Sequence, residues 1–162
     1  MDLYILRHGI AADKDDPRYP KDDDRPLTEE GQKKTLKIAR RMKGLGLTFD
    51  LILSSPLARA RQTAEITASV LGCKSKLKFS ANLAPAGSKK ALLHEIARRR
   101  RILLVGHEPY LSELTSTLLA GTDGLGIDLK KGGLCRMTVA HLRYGRCATL
   151  EWLASPKLLI EG

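Results

Sequence analysis

The stretch Leu3-Tyr4-Ile5-Leu6-Arg7-His8-Gly9 predicts both the fold of the chain and the position of its site. Four consecutive apolar residues favour a strand that is buried on both faces. The glycine that follows allows the backbone to turn sharply and to approach a ligand closely. A histidine at the end of such a strand lies where open α/β sheets bind ligands. By itself, however, this stretch is also typical of a buried structural histidine.

A second apolar run, Phe49–Leu53, predicts another buried strand. Ser54-Ser55-Pro56 follows it and predicts a helix with Ser55 as N-cap and Pro56 as the first helical residue. Arg59 lies in the first turn of this helix, where a cation opposes the helix dipole. An arginine at that place suggests an anion for it to meet.

A third apolar run, Ile102–Val105, leads into Gly106-His107-Glu108-Pro109 and then into a helix predicted over 110–120. The run therefore repeats the pattern of the opening stretch, because a buried strand again ends in a histidine beside a glycine. The carboxyl ends of parallel strands meet at one edge of a sheet. We therefore expect His8, Arg59 and His107 to converge in one pocket, with Arg7 attached to the first strand.

The remaining elements alternate in type. Thr28 is the predicted N-cap of a helix that carries Glu29 and Glu30 in its first turn and ends near Gly44. Further segments are a strand over 74–79, a helix over 88–97, and two closing strands over 134–142 and 148–153. Alternating strands and helices predict a three-layer α/β/α sandwich with a mostly parallel central sheet. Residues 1–162 fit a single domain of this kind.

The composition narrows the class of protein. No apolar run approaches the roughly 18 residues that would span a bilayer, and the first residues do not resemble a signal peptide. Three widely spaced cysteines, Cys73, Cys135 and Cys147, form neither a disulfide framework nor a metal-binding pair. We therefore expect a cytoplasmic protein with free thiols, and no membrane partner.

The charge of the chain favours an anionic partner. Its net charge is +10, and residues 1–50 contribute only +1 of it. The basic run Arg98–Arg101 could contact nucleic acid, but no aromatic residues interleave with it, which favours the exposed last turn of a helix. Asp22–Asp24, in a long polar loop over 11–26, reads most simply as a solvated acidic run. A divalent-cation site there would lack the spaced ligands of a calcium loop.

Three segments resemble the signature blocks of the histidine phosphatase superfamily, which has a phosphoglycerate mutase-like fold. These segments are Leu6-Arg7-His8-Gly9, Ser55-Pro56-Leu57-Ala58-Arg59-Ala60-Arg61-Gln62-Thr63 and Gly106-His107-Glu108-Pro109. The block Arg25-Pro26-Leu27-Thr28-Glu29-Glu30-Gly31 and the small size are similar to the SixA-type phosphohistidine phosphatases. The similarity runs in order from Leu3 to about Pro156.

The resemblance implies a role for each matching residue. His8 would be the nucleophile and would carry a phosphohistidine intermediate. Arg7, Arg59 and His107 would surround the phosphoryl group and neutralise its charge, and Arg25 would be a further substrate contact. No metal or cofactor is then expected. The histidines His94 and His141 match none of the blocks and are predicted to be structural or surface residues.

The chain departs from the family pattern at the acid that protonates the leaving group. Many phosphoester-cleaving members carry a carboxylate in the segment corresponding to Ala81–Gly87, where this chain has Asn82 and no acidic residue. An imidazole leaves from a P–N bond more easily than an alkoxide leaves from phosphorus, which favours phosphohistidine as substrate. Glu108 could serve as the acid, or it could be a carboxylate that stabilises a helix N-terminus.

Three functions remain open at this point. The first is dephosphorylation of phosphohistidine on a signalling or phosphotransfer protein, which a small chain with an open site would suit. The second is hydrolysis of a small phosphomonoester with Glu108 as acid. The third is a non-catalytic module that binds phosphate groups. Nucleic acid is not an expected partner.

Overall fold

The computed structural model describes residues 1–162, in which helices pack on a six-stranded sheet. The strands are β1 (Asp2–Arg7), β2 (Leu51–Ser54), β3 (Leu77–Phe79), β4 (Arg101–Gly106), β5 (Leu134–Val139) and β6 (Ala148–Ala154). The α-helices are α1 (Glu29–Gly44), α2 (Ala58–Val70), α3 (Lys89–Ile96), α4 (Tyr110–Ala120) and α5 (Pro156–Glu161). Three short 3-10 turns cover 22–24, 74–76 and 81–83.

The strand order is β3-β2-β4-β1-β5-β6. The pairs β2–β3, β2–β4 and β1–β4 are parallel, whereas β5 and β6 join antiparallel at one side. The first four strands therefore end at the same edge, and the predicted mostly parallel sheet is confirmed. Because β1 and β4 are neighbours, the turns that follow Arg7 and Gly106 lie side by side.

The core has two parts, one on each face of the sheet. Leu3 and Ile5 of β1 pack into a cluster with residues of α3 and α4, whereas Tyr4 and Leu6 pack into a cluster with residues of α1 and α2. Successive side chains of a strand point to opposite faces, so an uninterrupted apolar run fills both layers. Each fully buried leucine or isoleucine contributes roughly 1.5–3 kcal/mol. The sandwich predicted from the sequence is confirmed.

Two helix starts agree with the sequence analysis. The side chain of Thr28 accepts a hydrogen bond from the Gly31 amide at 3.0 Å, so it caps α1 as expected. Ser88 caps α3 in the same way. The bounds of α4 are those that were predicted.

The helix α2 begins at Ala58, and its predicted start at Pro56 is wrong. Ser55 is not its N-cap, because Leu57 holds that position with an extended backbone and no side-chain cap. The Ser55 hydroxyl accepts a longer bond, 3.3 Å, from the Leu57 amide and is also bonded to His107. Arg59 is still in the first turn of the helix.

Three other expectations are corrected. Residues 74–76 form a 3-10 turn, so β3 is shorter than predicted. The helix α3 ends at Ile96, and the exposed basic run Arg98–Arg101 covers the segment that leads into β4 and the first residue of that strand rather than the last turn of a helix. His141 follows β5 instead of lying within it. None of the helices is both long and apolar enough to cross a membrane.

Candidate active site

His8 lies directly after β1 and is 6% exposed. Its Nδ1 is 2.7 Å from the carbonyl oxygen of Gly9. A carbonyl only accepts, so Nδ1 carries the proton and Nε2 keeps its lone pair. The Gly9 amide donates in turn to the Thr63 hydroxyl at 3.1 Å, which fixes the turn against α2. The local backbone therefore orients His8 as a nucleophile.

Burial is the main cause that lowers the pKa of His8 to about 3; the charges of Arg59 and Arg7 act in the same direction, and the Gly9 hydrogen bond opposes them. Desolvation disfavours the charged form of an imidazole. His8 is therefore neutral at pH 7, as nucleophilic attack requires.

Arg7 is held by the loop that precedes β5. Its Nη1 donates to the Leu129 carbonyl at 3.0 Å, whereas its buried Nε has no hydrogen-bond partner in the protein. The amide of Gly132 is within hydrogen-bond distance of the carbonyls of both Arg7 and His8. The loop over 129–132 thus holds the backbone carbonyls before and after the His8 side chain.

Arg59 projects from the first turn of α2 and is 4% exposed. Its Nη1 donates to the Asp22 carbonyl at 2.9 Å, and its Nη2 donates to Asp22 Oδ2 at 3.0 Å. Its Nε is buried without a partner. A buried guanidinium N–H without an acceptor is costly.

Asp22 is a site residue that the sequence analysis missed. Its Oδ1 accepts from Arg25 Nε at 2.9 Å while its Oδ2 accepts from Arg59, so the carboxylate joins two arginines. Burial raises the pKa of Asp22, but the hydrogen bond from Arg25 and the charge of Arg59 outweigh this and hold the pKa below its usual range. The interpretation of Asp22–Asp24 as a merely solvated run is wrong at its first residue. The only sequence signal is the Asp-x-x-Arg spacing, which is weak.

His107 follows β4 and is 2% exposed. Its ring centroid is 5.2 Å from that of His8. Its Nε2 is 2.8 Å from the Ser55 hydroxyl, and its Nδ1 is buried without a partner. Burial, and after it the charge of Arg59, lowers the pKa of His107 to about 4. Both histidines of the site are therefore neutral at pH 7.

These side chains line one cavity of about 380 Å³. All six residues singled out from the sequence contribute to its lining: Arg7, His8, Arg25, Arg59, His107 and Glu108. Its other charged lining residues, which the sequence analysis did not identify, are Asp13, Lys14, Asp22 and Lys131. His94 and His141 are exposed and lie outside it. A larger groove of about 570 Å³ between α1 and α2 is mostly apolar and contains none of these residues.

Glu108 and Asn82, the residue that stands where many family members carry the leaving-group acid, occupy different surroundings. Glu108 lines the cavity, and its Oε1 accepts from the Ser112 amide in the first turn of α4 at 2.8 Å. Asn82 does not line it, because its amide nitrogen is directed to Glu95 at 3.3 Å. The segment 81–87 supplies only Pro85 to the cavity wall. Glu108, the candidate acid named from the sequence, therefore lines the site, together with the carboxylates of Asp13 and Asp22.

Known proteins match this chain over its whole length. An uncharacterized protein of Picosynechococcus sp. is 44% identical over 99% of both chains. The structure of the protein histidine phosphatase SixA in complex with tungstate covers 96% of this chain and 97% of its own, with 26% identity and a TM-score of 0.81. A SixA structure from Agrobacterium tumefaciens, described as a putative phosphohistidine phosphatase, has 25% identity, the same coverage and a TM-score of 0.76.

The family model of the histidine phosphatase superfamily (branch 1) matches residues 3–84, which include β1, α1, β2, α2 and β3. The fold therefore agrees with the phosphoglycerate mutase-like architecture that the resemblance implied. On the match of the family model and the full-length relative, the chain belongs to the histidine phosphatase superfamily.

Proposed function

We propose that this protein is a metal-independent phosphatase that removes the phosphoryl group from phosphohistidine on a partner protein. The observation that carries the proposal is the state of His8. Its Nδ1 is tied to Gly9 and its pKa is about 3, so an unprotonated Nε2 is available in a cavity lined by three arginines. Membership of the superfamily and the fold shared with SixA proteins support the same chemistry.

In the first step of the proposed reaction, the lone pair of His8 Nε2 forms a bond to phosphorus while the P–N bond to the substrate imidazole breaks. The departing nitrogen takes a proton from solvent. In the second step, a water oxygen forms a bond to phosphorus while the P–N bond to His8 breaks, inorganic phosphate leaves, and one proton returns to solvent. Splitting the displacement in this way replaces one difficult step by two easier ones.

The arginines of the site would stabilise the charge on the transferred phosphoryl oxygens. Arg7 and Arg59 each have a buried Nε without a partner, and both side chains are held in place by other hydrogen bonds. Such preorganised donors act at the transition state without a reorganisation cost. Arg25, which Asp22 joins to Arg59, would add a further positive charge to the substrate side of the cavity.

The surroundings of the leaving group favour a P–N bond. A departing imidazole has a conjugate acid that titrates near neutral pH and therefore needs little help from an acid. The segment 81–87 supplies no carboxylate to the cavity, and one oxygen of Glu108 is already bonded to the Ser112 amide. The second candidate function, hydrolysis of a small phosphomonoester, is favoured by the remaining oxygen of Glu108, which lines the same cavity.

The mouth of the cavity suits a protein substrate. Lys14 and Lys131 line it, both are exposed, and neither forms an ion pair with an acidic side chain of the chain itself. Exposed Pro85 forms part of the same wall. An acidic segment beside a phosphohistidine would be attracted to these lysines.

The Glu108→Gln variant separates the two candidate reactions. General acid catalysis contributes roughly 10²- to 10⁴-fold, so we expect a loss of at least about 10²-fold on an alkyl phosphate. On a phosphohistidine protein we expect a change of no more than about threefold, because the leaving imidazole needs no such acid. Glu113→Gln, a change in the same helix region but outside the cavity, is the matched control. An equal loss of activity on both substrates would contradict the proposal.

A further inference from the structure

Ser55 is a fully buried residue that links two strands at the edge where the site lies. Its amide donates to the Val105 carbonyl at 3.0 Å, which ties the end of β2 to the end of β4. Its hydroxyl is 2.8 Å from His107 Nε2 and accepts from the Leu57 amide at 3.3 Å. Ser55 is 0% exposed, so its hydroxyl has no access to bulk water.

The direction of the bond between Ser55 and His107 follows from the available donors and acceptors. The hydroxyl has one proton and two lone pairs, and one lone pair is used by the Leu57 amide. If His107 Nε2 donated, the hydroxyl proton would have no acceptor in a buried position, since no other polar atom bonds Ser55 Oγ. If Ser55 donates to Nε2, the hydroxyl proton and the Nε2 lone pair are both satisfied, and only the Nδ1 proton is left without a partner in the protein. The opposite direction leaves two groups unsatisfied, the hydroxyl proton and the Nδ1 lone pair, so it is the costlier arrangement.

We infer that Ser55 is a positioning residue that holds neutral His107 in the tautomer with its proton on Nδ1. This inference rests on the proposed function for its catalytic meaning, but not for the tautomer itself. Nδ1 is the ring nitrogen that has no partner in the protein. The tautomer set by Ser55 makes Nδ1 a donor, so a neutral His107 donates a hydrogen bond to a phosphoryl oxygen instead of presenting a lone pair to it.

The helix that follows Ser55 also positions the other histidine of the site. Thr63 accepts from the Gly9 amide, and the Gly9 carbonyl accepts from His8 Nδ1. Ser55, Arg59 and Thr63 are spaced four residues apart from the end of β2 into α2. The turn before α2 and the helix itself therefore set a lone pair on His8 Nε2 for attack and a proton on His107 Nδ1 for binding, and the first turn of the helix supplies Arg59 to the same cavity.

The tautomers can be measured by long-range ¹H–¹⁵N NMR at pH 7 on protein labelled in its histidines. The background is the His94→Gln/His141→Gln variant, in which only the two site histidines remain. We expect both rings to be protonated at Nδ1. In Ser55→Ala we expect one ring to lose this pattern, whereas in the matched control Ser54→Ala, also fully buried at the end of β2, both rings keep it.

Activity gives the second readout. Partners that orient a functional histidine contribute about 10- to 100-fold, so we expect kcat/KM of Ser55→Ala on a phosphohistidine protein to fall by that factor. Protonation of His107 at Nε2 in the parent protein, or unchanged spectra in Ser55→Ala, would overturn the inference whatever the activity. The expected spectra in a protein without phosphatase activity would overturn the proposed function and support the tautomer assignment.

Discussion

The two neutral histidines predict that the protein loses stability when the pH falls from 7 to 5. His8 and His107 have pKa values of about 3 and about 4 because burial disfavours their charged forms. In the unfolded chain a histidine has a pKa of about 6.5, so the unfolded state binds more protons than the folded state below that pH. Stability is therefore fully present above pH 6.5 and is lost as the pH falls toward 4.

The size of the loss follows from the same values. At pH 5 protonation stabilises an unfolded histidine by about 2 kcal/mol, while His8 and His107 remain almost entirely neutral in the folded state. The two residues are 6% and 2% exposed, so solvent screening reduces this figure little. We expect the free energy of unfolding to fall by about 4 kcal/mol between pH 7 and pH 5. Ordinary carboxyl groups titrate mainly below this range and contribute little.

Urea titrations at the two pH values measure this loss directly. The single variants His8→Gln and His107→Gln should each lose only about half as much stability, since each removes one of the two buried imidazoles. The exposed pair His94→Gln/His141→Gln should behave like the parent protein. A loss below about 1 kcal/mol in the parent protein, or a full loss in both single variants, would refute the reasoning.

Three further variants each remove or disturb one contact of a single residue, and each has a matched control. Asp22→Asn removes the carboxylate that joins Arg25 to Arg59, and we expect kcat/KM on a phosphohistidine protein to fall about tenfold, with exposed Asp24→Asn unchanged. Thr63→Val leaves the buried Gly9 amide without its acceptor, so urea titration should show a loss of about 1–3 kcal/mol that Thr67→Val, which affects a bond within α2, does not match. Gly31→Ala would place a Cβ 2.0 Å from the Ile10 carbonyl oxygen and should lower Tm by about 4–8 °C, whereas Gly44→Ala has open space around it. Equal effects within any pair would contradict the corresponding assignment.

The strands β1 and β4, which end at the two site histidines, and the helix α4 were the parts of this fold that the sequence predicted best, whereas the second strand, predicted over 49–53, is Leu51–Ser54. The runs that became β1 and β4 are apolar without interruption because both faces of these strands are covered. Capping of α1 by Thr28 was also predicted, since a hydroxyl before a helix satisfies a free amide wherever the helix later packs, and Ser88 caps α3 by the same rule although no cap was predicted there.

The start of α2 was predicted two residues too early because Ser55 has a second partner. Local sequence rules assign a Ser-Pro pair to the cap and the first helical position. In the fold, the Ser55 hydroxyl forms a hydrogen bond with His107, which follows β4. Residues 55–57 remain outside the helix. This hydrogen bond joins residues 52 positions apart in the sequence, and it overrides the local preference for a helix start at Ser55-Pro56.

Asp22 illustrates what sequence patterns cannot supply. An acidic run in a polar loop is most simply solvated, and only the packing of that loop against α2 brings Asp22 to Arg59. The lysines Lys14 and Lys131 reach the cavity for the same reason, since each belongs to a loop whose path depends on the rest of the fold. The short α5 was missed, although Ser155-Pro156 carries a cap signal.

The central claim is that His8 carries the phosphoryl group during turnover, and rapid quenching tests it most directly. The protein is mixed with a ³²P-labelled phosphohistidine protein and stopped in alkali, and the label is located by peptide mapping. We predict acid-labile, base-stable phosphate on His8, and none in His8→Ala. Steady turnover without label on His8, or label in His8→Ala, would contradict the account, and failure to trap phosphate or release it from several donors would favour a phosphate-binding module.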